Sequence, residues 1–240
     1  MPLSCAQRLI FALDFPDFSK ALPMLVRLSG KVGVVKIGLE LFLGEGPSIV
    51  PRIREKTDAR IFLDLKLHDI PATVERSVRN LEKLGVDYLT LHTAGGREML
   101  CRAREGAGEN MALLGVTVLT SSSVQTLEET GCALEGERPL KTLVAKRAFL
   151  ARESGLSGVI CSGHEALEVK ALCGPEFLAV TPGIRPLWSV EKKDDQERVM
   201  TPSLALAAGA DMLVIGRPIR DAADPEAAVE RILKEMADAG

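Results

Sequence analysis

The sequence is poor in the residues that staple a fold or cage a metal. Its five cysteines, Cys5, Cys101, Cys132, Cys161 and Cys173, are odd in number, and no two stand at CxxC spacing. That argues against a disulfide framework or a thiolate zinc site and leaves reduced, mostly buried thiols of a cytoplasmic protein. The three histidines form no HxxxH pair and no cluster with acidic ligands, so no catalytic metal is implied. Long apolar runs are missing too. The longest, 111–119, is far too short to span a bilayer, and the first residues lack a separate apolar segment with a cleavage site. Neither sign of charge dominates: 30 basic and 33 acidic residues leave −3. A broad electrostatic nucleic-acid surface is thereby excluded, though not a local basic pocket.

What is present is an ordinary globular composition, 46% apolar and 26% charged, over 240 residues. That length makes one large domain or two small ones and buries a core without staples. Short runs rich in Val, Ile, Leu and Phe occur at 9–13, 32–37, 60–65, 87–91, 113–119, 158–161, 177–180 and 212–215, as expected of strands buried on both faces. Longer stretches with helical spacing separate them. Between 72 and 84, for example, Val74, Val78, Leu81 and Leu84 share a face. Gly85, Gly155 and Gly209 each follow a helical stretch and precede a strand, where a left-handed helix end needs glycine. Eight such units predict one closed (β/α)8 barrel, residues 1–240, with no linker. An open doubly wound sheet would call for a Gly-rich dinucleotide turn after the first strand, but Asp14-Phe15-Pro16-Asp17 stands there.

In such a barrel the chemistry sits where strands end. Those ends carry Asp14, Lys36, Asp64, Lys66 and Asp69, then His92-Thr93, Thr120-Ser121, Cys161-Ser162, Thr181-Pro182-Gly183 with Arg185, and Gly216-Arg217. Strand alternation puts Asp64 and Lys66 on one side, with Leu63, Leu65 and Leu67 on the other. Lys36 can reach the same space. A buried structural ion pair would be expensive to desolvate, so the array reads as a tuned proton donor or electrostatic trap. Gly183, Gly216, Arg185 and Arg217, with the stretch from Ser203 onward, suggest a phosphate site; turn glycines with solvated arginines are the plainer alternative. His68 reads as a structural hydrogen-bonder, His92 as a residue behind the site, and His164 as a helix cap. The segment 181–200, with its charged run 191–198, reads as a lid or binding loop. The polar segment 121–138 reads as carrying part of the fifth helix.

Asp64-Leu65-Lys66-Leu67-His68-Asp69-Ile70-Pro71 resembles the DxKxxDIP signature of the orotidine 5'-phosphate decarboxylase family. Phe11-Ala12-Leu13-Asp14, Val35-Lys36-Ile37-Gly38, His92-Thr93-Ala94-Gly95-Gly96, Val118-Leu119-Thr120-Ser121, Thr181-Pro182-Gly183-Ile184-Arg185 and Val214-Ile215-Gly216-Arg217 fit in order. The resemblance covers essentially the whole chain and is strongest to the bacterial, single-function form. It implies cofactor-free decarboxylation of orotidine 5'-phosphate to UMP, without a metal, in a homodimer that binds neither nucleic acid nor membrane. It further implies that Lys66 protonates C6 within a network of Lys36, Asp64, Lys66 and Asp69. Asp69, Ile70 and Thr73 are expected to enter the partner's site. Asp14 and Lys36 would hold ribose hydroxyls, Thr73 the 2'-hydroxyl, and Thr120 or Ser121 the pyrimidine edge. Gln196 would bridge base and phosphate, and Pro182, Arg185, Gly216 and Arg217 would line or bind the phosphate end.

Two rivals share the barrel. A hexulose-phosphate synthase or keto-gulonate-phosphate decarboxylase would need carboxylate metal ligands around strand two, where Lys36 stands and Glu40 is the nearest acid. A non-catalytic phosphoribosyl-binding barrel would bind nucleotide without turnover.

Overall fold

Leu9 and its neighbours pair on both sides: Ile10 meets Val34 on one flank and Val214 on the other. The first strand is therefore the seam of a ring. The computed structural model describes residues 3–134, 136–189 and 200–239. Within them, β1 (Leu9–Ala12), β2 (Val34–Gly38), β3 (Arg60–Leu67), β4 (Tyr88–His92), β5 (Ala112–Val116), β6 (Gly158–Ile160), β7 (Leu178–Thr181) and β8 (Met212–Ile215) close in chain order into a parallel (β/α)8 barrel.

Alternation along each strand sorts the core into two layers. Ile10, Val34, Phe62, Tyr88, Leu114, Val180 and Met212 fill the barrel interior. Leu9, Phe11, Val35, Ile61, Leu63, Leu89 and Leu213 face the surrounding helices. The same parity, continued past the apolar residues, aims Asp14, Lys36 and Asp64 inward at the strands' C-terminal ends. Gly85, Gly155 and Gly209 have φ of 74°, 79° and 90°, the left-handed values predicted for them.

Some local expectations are corrected. The segment 121–138 carries a separate short helix, Val124–Glu129, capped by Ser123; the helix that packs behind β5 is Pro139–Glu153. At the helix Gly163–Cys173 the cap is Ser162, not His164. Ser162 Oγ accepts from the His164 N–H, and Glu165 returns a bond to the Ser162 N–H. β5 ends at Val116 rather than Leu119; past it, the Thr117 N–H and hydroxyl both donate to the Ile160 carbonyl, at 3.3 and 2.9 Å.

Candidate active site

A cavity of about 400 Å³ opens at the C-terminal end of the barrel. Its floor is apolar, made by Ala12, Val116, Ile160 and Val214, the last inward residues of their strands, with Phe62 of β3 beneath Asp64. One wall carries charge of alternating sign. Lys36 Nζ lies 3.1 Å from Asp14 Oδ1 and 3.6 Å from Asp64 Oδ2, and Asp64 Oδ1 lies 2.8 Å from Lys66 Nζ. The Lys36 side chain is 10% exposed and that of Asp64 15%, whereas Asp14 is nearly half exposed. The inner members thus interact with little water between them.

Burial alone would push the Asp64 carboxyl up. Lys36 and Lys66, with hydrogen bonds from Lys66 and the Thr90 hydroxyl, outweigh it and hold the group below the ordinary aspartate range. Asp64 is an anion at neutral pH. His92, at the end of β4, moves below the ordinary imidazole range because burial disfavours its cation, and His68, Lys66 and Arg147 add positive charge nearby. Its ring stands 5.7 Å from that of His68, centroid to centroid.

Lys66 reaches this wall by an irregular route. Leu63 pairs with Leu89 and Leu67 with Leu91, so four residues of β3 span what two residues of β4 span. Lys66 has a φ of 50°, the one described residue other than glycine in the left-handed region, a conformation costing about 1–2 kcal/mol. The excess is two residues, an even number, so side-chain parity survives the bulge. Leu63, Leu65 and Leu67 all stay on the helix side.

The lining continues through Pro182, Gly183, Arg185, Gly216, Arg217 and Arg220, which follow β7 and β8. Arg185 is only 6% exposed and donates from Nη1 to the Ile184 carbonyl at 3.0 Å. Gly183 has a φ of 76°, which turns the chain sharply after β7. Three arginines around one concavity suit a phosphate or other dianion. Arg220 escaped the sequence reading. It follows Arg217 by one helical turn, in Arg217–Arg220, and its Nη1 donates to the Asp14 carbonyl at 3.0 Å, tying the segment after β8 to the segment after β1.

Of the residues predicted from sequence, Asp14, Lys36, Asp64, Lys66, Thr120, Pro182, Arg185, Gly216 and Arg217 line this one cavity. Ser121 is exposed and does not line it. Asp69, Ile70 and Thr73 are also outside it. Asp69 Oδ1 accepts from the Ile70 N–H at 2.6 Å, and Ile70 is 66% exposed beside the helix Pro71–Glu82. Within one chain the charge array is therefore Asp14–Lys36–Asp64–Lys66, and Asp69 is not part of it. Gln196 lies outside the described residues.

A family model described as orotidine 5'-phosphate decarboxylase / HUMPS family matches residues 7–232. A protein of Desulfosudis oleivorans named orotidine 5'-phosphate decarboxylase is 45% identical over 96% of this chain and 93% of its own length. One of the same name from Syntrophotalea carbinolica is 44% identical over 100% of this chain and 98% of its own. The crystal structure of orotidine 5'-phosphate decarboxylase from Lactobacillus acidophilus superposes with a TM-score of 0.80 at 36% identity, covering 95% of this chain and 98% of that one.

Proposed function

The chain belongs to the orotidine 5'-phosphate decarboxylase / HUMPS family, and from that premise we propose that its barrel mouth converts orotidine 5'-phosphate to UMP and carbon dioxide as a cofactor-free carboxy-lyase of pyrimidine synthesis. One observation carries the reading. The Asp14–Lys36–Asp64–Lys66 array and the Arg185–Arg217–Arg220 group line one cavity, a combination that suits a nucleoside monophosphate carrying both a carboxylate and a phosphate.

Loss of carbon dioxide from C6 leaves a carbanion with little resonance help. An ammonium fixed beside it before the reaction stabilises that charge without reorganisation and supplies the proton. Lys66 takes this role. Asp64, held as an anion by its two lysines, stands beside the substrate carboxylate and disfavours the bound substrate more than the transition state. Asp14 and Lys36 bind ribose hydroxyls, and Thr120 meets the pyrimidine edge. Arg185, Gly216 and Arg217 take the phosphate, beside Pro182, and Gln196 bridges base and phosphate. Binding energy from the remote phosphate helps order the reacting end. Asp69, Ile70 and Thr73 complete the site of a second copy, making the active form a homodimer. The five free thiols suit a cytoplasmic compartment.

A metal-dependent lyase of the same family would need acids where Lys36 stands, and Glu40 is exposed on the helix Leu39–Glu45, off the cavity wall. Ultraviolet monitoring of orotidine 5'-phosphate with purified protein in excess EDTA tests the choice. Rapid conversion to UMP is expected. No conversion, with activity on a sugar phosphate restored by magnesium, would overturn it.

A further inference from the structure

Thr90 is the most buried polar side chain near the charge array, with 0% exposure, and none of the roles assigned above uses it. It lies on β4 between Leu89 and Leu91, whose partners Leu63 and Leu67 bracket the bulge in β3. Tyr88 and Thr90 share a parity, so the hydroxyl points into the barrel beneath Asp64 and Lys66. Its oxygen accepts the Lys66 backbone N–H at 2.9 Å and donates to Asp64 Oδ1 at 2.9 Å. The first bond gives a partner to an N–H that the bulge removes from the regular ladder. The second fixes the carboxylate oxygen that also meets Lys66 Nζ.

We propose that Thr90 is a positioning residue for this site, its one hydroxyl holding both the left-handed backbone of Lys66 and the carboxylate of Asp64. The proposal rests on the decarboxylase reading and names a residue beneath the reacting groups rather than one that touches substrate. A hydroxyl suits the position because it accepts and donates at once. Valine matches threonine in shape and does neither. Loss of the hydroxyl leaves Lys66 N–H without its partner and lets the Asp64–Lys66 pair drift. A displacement on the order of 1 Å at reacting groups costs about 100-fold in rate.

The test compares Thr90→Val and Thr90→Ser with the wild type, reading kcat, KM, the pH profile and the NMR titration of the Asp64 carboxyl in the ligand-free protein. The charged groups bearing on Asp64 are Lys36 from β2, Lys66 from its own strand, Asp14 through Lys36, and His92 from β4. All four remain in each variant. T90V should lose about 10–100-fold in kcat with KM changed less than about threefold. Its acid limb and its Asp64 titration should move to higher pH, because a hydrogen bond to the charged form has gone. T90S should recover most of both. Wild-type kcat and an unshifted Asp64 titration in T90V would overturn the proposal. So would a loss of rate matched by loss of folded protein with the titration unmoved. If T90V does not fold, Thr90→Ala removes the same hydroxyl and carries the measurement. The Asp64 titration needs no substrate. Absence of turnover in the wild type would therefore count against decarboxylation alone.

Discussion

Lys66 holds an unfavourable backbone conformation and still brings its ammonium within 2.8 Å of Asp64. Its replacement separates chemistry from binding: Lys66→Ala should lower kcat by at least about 1,000-fold while UMP affinity, measured calorimetrically, stays near wild type. Arg217→Ala should act at the other end, raising KM about 10–100-fold with a smaller change in kcat, as expected for a lost charge-assisted bond to phosphate. His92 gives a stability effect with a definite sign. Its folded-state pKa lies below the ordinary value, so across the histidine range the unfolded chain binds more protons and stability rises with pH. That contribution is present above the ordinary histidine pKa and is lost as pH falls through the depressed one. His92→Gln should therefore lose less stability to urea than the wild type between neutral pH and about pH 5. The shared side of Asp64 and Lys66 was legible from their i, i+2 spacing. The bulge beneath them was not, because the run Asp64-Leu65-Lys66-Leu67 has no glycine or proline to mark it. Thr90 was hidden for a related reason: a threonine in Tyr88–His92 reads as an ordinary strand former.

Strands were legible as elements because burial on both faces leaves continuous apolar runs, and all eight lie where those runs lie. Their ends were less so. Thr117 has the composition of a strand residue yet lies past the end of β5, with its N–H and hydroxyl both on the Ile160 carbonyl of β6. Such partners belong to neighbouring elements and have no local signal. The β6–β7 joint shows how tight the ring is. A Cβ on Gly158 would lie 2.4 Å from the Leu178 carbonyl oxygen and 2.5 Å from its Cβ, closer than any real contact. Backbone cannot move aside cheaply there, since Gly158 and Leu178 are paired in register. Gly158→Ala should cost about 1–3 kcal/mol, a fall in melting temperature of roughly 3–10 °C by calorimetry.

For the molecule as a whole, Asp69, Ile70 and Thr73 stand outside their own chain's cavity, and the proposed homodimer gives them a place. Each variant of the pair Lys66→Ala and Asp69→Ala should be inactive alone. Mixed in equal amounts with subunit exchange, they should recover about a quarter of wild-type activity, because half the dimers are mixed and each has one intact site. No recovery despite exchange, followed by mass spectrometry, would mean that each site is built from one chain. The ring itself has a consequence for how the chain is made. β1 pairs with β8, and Arg8 clasps the same seam from below, donating to the Ala210 and Asp211 carbonyls at 2.8 and 2.9 Å. As the polypeptide leaves the ribosome, β1 waits with one edge bare until β8 has emerged. A chain folded only as far as β7 would be an open parallel sheet with two unpaired borders, a form prone to join its neighbours. The last strand to be synthesised is thus the one that makes the first one safe.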